Sequence, residues 1–505
     1  MAITHFTPYT YMRKTYLLAT LIAIIGIIFP SALSATQPRL TVVVVVDGMT
    51  QDNLNLLRPF WSAGGLRTMS EEAFQTTLHF PHLVNGGQET TATLMTGATP
   101  SRHGFMGDQY FDRLYRTTFD VLHDSQISGI GTTLQLSPRA IATTTITDEW
   151  RILHGLNAKI YAIGLQPQAT ILLAGHAANA CCWLDPTALK WVTTSCYSEG
   201  LPSAADAMNM SVRINVLAEK TWTPRLEIAN YTSPTKDERR RSFSYLPKTD
   251  LLHTPAANTL AIELALNLQQ TKELGMDNTA DLLLLQLTTH SPKATSDAIA
   301  SAEQEDMYLS INQDLGYLMD QLNQRIGKTN YQVLLIGRPT KGHSTKAFEM
   351  AGIPIQHFNL DRATALTSTY LMAIYGHERW IDGGFGPYIF LNRTLIEQKR
   401  LSLETIQRQV ANFIMDFEGV QVAFPIHEAI LSEYSPSIYR RQAGDVFFQL
   451  QDHWVLDTNN KQPYDQVIEQ NPTAPLMLWS ATLRTFPEKE LDATDIKNLI
   501  INSKL

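Results

Sequence analysis

Seven consecutive residues, Leu40 to Val46 (LTVVVVV), constrain this chain more than any other stretch, because nearly all are β-branched and apolar. A strand that is apolar on both faces must be covered on both faces, and that is the signature of a central strand in a parallel sheet. The run ends at Asp47-Gly48-Met49. Asp47 therefore stands at the carboxyl end of a central strand, where open α/β sheets place their ligands. The competing role for Asp47 is capping the next helix, read over Asn53 to Ser62.

Other segments repeat the pattern. Lys159 to Leu165, Asp281 to Leu287 and Tyr331 to Ile336 read as strands. Between the last two, Ser301 to Arg325 carries Met307, Leu309, Ile311, Leu315, Leu318 and Leu322 at helical spacing. Strand, helix, strand in that order builds a right-handed crossover and a parallel sheet. A further helix is expected from Leu403 to Phe417, with late strands at Val446 to Leu450 and Leu476 to Trp479. The expected fold class is therefore α/β, a mostly parallel central sheet between helices. The polar stretch from Ala204 to Leu252, with the basic cluster Arg239-Arg240-Arg241, reads as an inserted cap or loop, its triplet a solvated turn.

With 505 residues, the chain has room for a large domain with insertions. A formal charge of −8 argues against nucleic-acid binding. At the N-terminus Arg13 and Lys14 precede an apolar run from Tyr16 to Phe29 and then Ser31, Ala32, Ser34 and Ala35. That order is what signal peptidase reads, so residues 1–35 are expected to be a Sec-type signal and the protein to be periplasmic or at the cell surface. An uncleaved N-terminal anchor is the alternative, and Met12 is a candidate start. Of the three cysteines, Cys196 is placed to pair with Cys181 or Cys182, leaving one thiol over. The absence of a C-x-x-C pair excludes a zinc ribbon.

A set of motifs then follows the first strand: Gly97-Ala98-Thr99-Pro100-Ser101-Arg102-His103-Gly104, Tyr110-Phe111-Asp112-Arg113, Ser137-Pro138-Arg139, Thr144 to Glu149 and Ala174 to Asn179. With Asp47-Gly48-Met49 these resemble the phosphate-irrepressible, single-threonine alkaline phosphatases, beside the type I phosphodiesterase/nucleotide pyrophosphatases. Looser echoes continue at Glu305 to Leu309, Gly444-Asp445, Pro463-Tyr464-Asp465 and Pro475-Leu476. The resemblance implies the alkaline-phosphatase-like three-layer fold over residues 36–505, with a cap insert near 200–255 and a further insert around 345–460.

It also implies a chemistry. Enzymes of that family use two zinc ions about 4 Å apart, one activating a threonine and the other clamping the leaving oxygen. Carried over position by position, the site is degenerate. The first Asp ligand falls on Asp47, which is present. The nucleophile falls on Gly87, which has no side chain, and the phosphate-binding Asn falls on Asp108, which would repel a phosphate dianion. Gln166 and Gln168 replace a Lys-x-Arg pair, and Ser291 and Thr295 replace an Asp-x-x-x-His set. Arg338 stands where an Asp-His-Gly element is expected, and Thr473 where the last His is expected. A cation at Arg338 would sit near Asp47 or Asp108 and neutralise carboxylates that no longer bind metal. His290 reads as a loop residue, Asp452-His453 as structural, and His176 as structural beside the site.

The leading expectation is thus an exported, catalytically inactive family member with no cofactor, binding an unidentified ligand, glycan or partner protein, or pairing with an active relative. The alternative is an active zinc-dependent phosphomonoesterase or phosphodiesterase rebuilt from Asp47, Thr90 or Thr91, Asp108, His176 and His343.

Overall fold

The structure is a computed structural model that describes residues 38–84, 87–232, 243, 250–292, 294, 297–299, 301–340, 352–457, 472–482 and 490–501. The expected signal at 1–35, the triplet Arg239-Arg240-Arg241, Thr295, His343 and Pro463-Tyr464-Asp465 lie outside the described residues. Among the described residues no helix is long and apolar enough to cross a membrane.

Ten strands form the principal sheet. They are β1 (Leu40–Asp47), β2 (Phe74–His79), β3 (Gly129–Ile130), β4 (Ile160–Gly164), β5 (Ala180–Asp185), β6 (Lys190–Thr194), β7 (Asp281–Thr288), β8 (Tyr331–Arg338), β9 (Thr473–Ser480) and β10 (Leu491–Asp492), in the spatial order β10-β2-β9-β8-β1-β7-β4-β5-β6-β3. The five strands β8-β1-β7-β4-β5 run parallel to their neighbours. The outer pairs β8–β9, β9–β2, β5–β6 and β6–β3 are antiparallel.

The layers follow from the alternation within β1. Leu40, Val42, Val44 and Val46 enter one core, and Val43 and Val45 enter the other. Six helices matter for the site: α1 (Gly65–Glu72), α2 (Gln88–Thr96), α3 (Ile146–His154), α4 (Pro167–Ala174), α5 (Pro255–Thr271) and α6 (Ala302–Arg325). Leucines of α5 and α6 line the first core, and apolar residues of α2, α3 and α4 line the second. Every residue of β1, β7 and β8 is buried. At roughly 1.5–3 kcal/mol for each fully buried Val or Leu, this double-sided burial fixes the register of the central strands.

A separate four-stranded antiparallel sheet is built from Ile381–Phe385, Tyr388–Leu391, Val446–Leu450 and Val420–Pro425, with helices Leu360–Tyr375 and Leu403–Met415 in its core. Its buried Asp445 accepts from Arg113 Nη1 at 2.8 Å, Arg393 Nε at 2.7 Å and the Leu391 amide at 2.7 Å. The segment at 203–219 is helical, as Ser203–Met210 and Arg213–Glu219.

Three local expectations are corrected. The helix after β1 runs over Gln51–Leu57 and gives way to a short 3-10 turn at Arg58–Phe60, because Pro59 sits inside that turn, where it cannot donate to the preceding helix. The helix expected over Leu403 to Phe417 ends at Met415, two residues early. All three cysteines are free thiols. Cys181 and Cys182 enter opposite cores, and the Cys196 sulfur is engaged by Thr194 Oγ1 at 2.9 Å.

Helices α1 and α6 approach so closely that a Cβ on Gly65 (φ +50°) would lie 1.8 Å from the Asn312 carbonyl oxygen. Gly65→Ala is expected to cost at least roughly 1–3 kcal/mol through forced repacking, read as a lower midpoint in urea unfolding; an unchanged midpoint would show that the two helices separate freely.

Candidate functional site

The in-register pairing of three strand ends creates the site. Asp47 of β1 lies opposite Thr288 of β7 on one side and Arg338 of β8 on the other. Asp47 is 1% exposed and Arg338 4% exposed. The guanidinium meets the carboxylate as a fork: Arg338 Nε donates to Asp47 Oδ1 at 2.6 Å and Nη2 lies 2.5 Å from Oδ2. Burial by itself would lower the Arg338 pKa, but Asp47, helped by Asp108 and Asp297, raises it above the ordinary arginine value. A third donor reaches Asp47 from β7, where Gln286 Nε2 donates to Oδ2 at 2.7 Å. Gln286 turns its own oxygen to the amides of Leu165 at 2.6 Å and Gln166 at 2.9 Å. Both Asp47 oxygens are thus held by organic donors.

Arg338 also reaches Gly87, the position to which the resemblance carries the nucleophile. Its Nη1 donates to the Gly87 carbonyl at 2.5 Å. Gly87 (φ +99°) caps α2, and a Cβ placed on it would stand 3.0 Å from Arg338 Nη1 and 3.6 Å from Thr340 Cβ. The guanidinium occupies the room a nucleophilic side chain would need, so glycine at 87 and arginine at 338 are sterically matched. Thr90 and Thr91 do not substitute. Both are 0% exposed, and their hydroxyls donate to the Gly87 carbonyl at 2.7 and 3.3 Å, as side chains do inside a helix.

Asp108 lies at the mouth, open to solvent at its surface yet ringed by protein. Its Oδ1 accepts from the Gln88 amide at the start of α2 at 3.3 Å. Its pKa is pushed up to about 7, first by burial, then by Glu89 and Asp120, against the opposing pull of that amide and of Arg338. Solvent at the mouth screens part of this shift. Gln166 is exposed, and Gln168 Nε2 donates to Asp120 Oδ2 at 3.1 Å. Where cations would gather a phosphate, this mouth presents two amides and a set of carboxyls.

Behind the β7 end, Ser291 is buried with its hydroxyl 3.5 Å from that of Ser301. His290, expected in the sequence to be a loop residue, is 3% exposed and pairs through Nε2 with Asp297 Oδ1 at 2.8 Å. Thr340 donates to Asp297 from its amide at 2.9 Å and its hydroxyl at 3.0 Å, with that hydroxyl 3.3 Å from the same Nε2. The trio is not a proton relay, because a single ring nitrogen faces both partners and cannot donate to Asp297 while accepting from Thr340. Thr473 is exposed on β9 opposite His79. His176 pairs through Nδ1 with Asp148 at 2.9 Å, and Asp148 also receives the Thr145 amide that caps α3, so this histidine anchors a helix start. His103 is wholly buried and binds the Thr93 hydroxyl at 3.1 Å. His453 lies in the turn before Trp454–Asp457.

The structure therefore brings together Asp47, Gly87 and Arg338, sets Asp108 beside them, and leaves Thr90, Thr91 and His176 committed elsewhere. Sequence reasoning passed over Gln286, Asp297 and Thr340. Gln286 was the detectable one, as the single polar residue in the run Leu282 to Leu287. Among the described residues no group of three or more His, Cys, Asp or Glu side chains converges where it could hold a metal ion. The donors around Asp47 do not fit a pair of divalent cations, which need several anionic or imidazole ligands at about 2 Å each.

Residues 41–469 match the family described as type I phosphodiesterase / nucleotide pyrophosphatase. Among curated relatives, alkaline phosphatase PafA of Elizabethkingia meningoseptica is 25% identical over 397 residues, 74% of this chain and 72% of that protein. Alkaline phosphatase PhoV of Synechococcus elongatus is 23% identical over 462 residues, 85% of this chain and 82% of that protein. A crystal structure of PafA superposes with a TM-score of 0.78 at 22% identity, covering 91% of this chain and 94% of that one. At that identity the structural likeness speaks to the fold.

Two outcomes follow from this geometry. Arg338→Ala strands a buried carboxylate and is expected to cost about 3–5 kcal/mol in chemical denaturation, whereas Asp47→Leu combined with Arg338→Met is expected to cost far less. The Asp108 carboxyl, raised when folded, holds its proton in the native state where the unfolded chain has lost it. Ionising it therefore costs stability as pH climbs from about 4 to about 7. Asp108→Asn should raise the melting temperature at pH 8 more than at pH 4.5; an equal effect at both would mean that this carboxyl titrates normally.

Proposed function

The chain belongs to the type I phosphodiesterase / nucleotide pyrophosphatase family, and from that premise we propose that it has kept the fold, given up phosphoryl transfer, and acts as a binding module. One observation carries the reading: Arg338 is forked onto Asp47, the one carried-over metal-ligand position that retains its carboxylate. An arginine is charged at any physiological pH and cannot be displaced like a water ligand. A divalent ion approaching Asp47 would meet a buried cation already paired there, and like-charge repulsion at low dielectric opposes entry.

The remaining positions support the same reading. Glycine at 87 offers no nucleophile. A carboxyl at 108 opposes a dianion rather than holding it, and protonation near neutrality relieves that only in part. Gln166 and Gln168 can hydrogen-bond a neutral ligand but supply no charge to a phosphoryl transition state. The mouth therefore favours ligands that are neutral or positively charged over phosphate esters. Export is part of the proposal, resting on the charge, apolar run and small residues of the first 35 positions.

The test is metal content and turnover on one preparation. Elemental mass spectrometry after purification in zinc-containing buffer is expected to give well under one zinc per chain. Neither p-nitrophenyl phosphate nor bis(p-nitrophenyl) phosphate should be hydrolysed above the buffer rate. Two zinc ions per chain with turnover abolished by Asp47→Ala would restore the rebuilt-hydrolase reading.

A further inference from the structure

A second concavity opens at the same sheet edge. It has a volume of about 460 Å3 and is walled by Leu165, Pro167, Trp183 and Leu252, with Thr132 and Asp185 among its polar residues. It lies at the carboxyl ends of β4 and β5, where parallel sheets present ligands, and its size suits a small molecule. Leu165 and Pro167 flank Gln166, so the cavity adjoins the degenerate mouth.

Its charge is one-sided. Among the described residues that line it there is no lysine, arginine or histidine, and Asp185 is the one ionisable group. Asp185 Oδ1 accepts from the Thr187 amide at 2.8 Å and the Ala188 amide at 2.9 Å, which fixes the β5–β6 turn. Its other oxygen has no hydrogen-bond or ion-pair partner among the described residues, even though Lys190 is its register partner across the hairpin. An anion held by backbone on one side and open on the other, set in apolar walls beside an indole, is matched by a cation on an apolar body. The half-buried carboxylate attracts ammonium. The chain's net charge of −8 favours the approach of such a ligand.

We infer that this cavity binds a small amphipathic amine, its ammonium on Asp185 and its apolar part against Leu165, Pro167 and Trp183. The inference builds on the binding role proposed above and gives it a ligand class.

Calorimetric titration of the full-length chain with n-hexylammonium, n-hexanol and n-hexyl phosphate tests it. The ammonium is expected to bind roughly tenfold more tightly than the alcohol, with no binding of the phosphate. Asp185→Asn, whose amide oxygen still accepts both turn N–H groups, should erase the preference without changing the melting temperature. Ala188→Trp, on an exposed lining position, should block both ligands. Equal affinity for ammonium and alcohol, no heat with ammonium, or a preference that survives Asp185→Asn overturns the inference. Hydrolysis of hexyl phosphate would instead contradict the non-catalytic reading, and the ammonium result would stand or fall independently of it.

Discussion

A carboxylate buried at the end of a central parallel strand must be neutralised, and in this protein the neutralising group is an arginine on the neighbouring strand. Everything distinctive about the site follows from that pairing. Asp47 cannot stay buried and bare, because an isolated ion in a low-dielectric interior costs several kcal/mol. The in-register partnership of β1 and β8 brings residue 338 to its side, and a planar, permanently charged fork satisfies both oxygens in one contact. Gln286 completes the shell and extends it to the backbone beyond β4.

The pairing also accounts for the glycine. A guanidinium that spans from Asp47 to the Gly87 carbonyl fills the space in front of α2, and any side chain at 87 would press against it. Glycine at the helix cap and arginine at the strand end are thus one steric arrangement seen from two elements. Further out, the mouth presents amides and carboxyls. Burial first, and then the neighbouring Glu89 and Asp120 carboxylates, raise the Asp108 pKa against the pull of the Gln88 amide and Arg338. The adjoining cavity at Asp185 shows the same bias. A fold whose relatives include alkaline phosphatases carries here a rim of amides and carboxyls.

Much of this was legible in the sequence, for identifiable reasons. Strands apolar on both faces announce themselves, so β1, β4, β7 and β8 were placed within two residues. Asp47 and Arg338 could each be put at a strand end, but that their strands are neighbours in register is a tertiary fact that periodicity does not encode. His290 does lie in the loop after β7, but its buried pairing with Asp297, seven residues on, has no helical or strand spacing that a sequence could reveal. Cys196 was expected to pair with Cys181 or Cys182, yet all three are free thiols, although Cys181 and Cys196 pack on the same core. Thr340 follows the end of β8, where sequence offers no pattern to read.

The most direct test of the central claim is a crystal structure of the chain soaked in millimolar zinc, with anomalous data collected at the zinc edge. The account predicts electron density for Arg338 forked on Asp47 and no anomalous peak within about 5 Å of that carboxylate, well beyond zinc–oxygen bonding distance. Anomalous peaks on Asp47 with the arginine swung aside would contradict it.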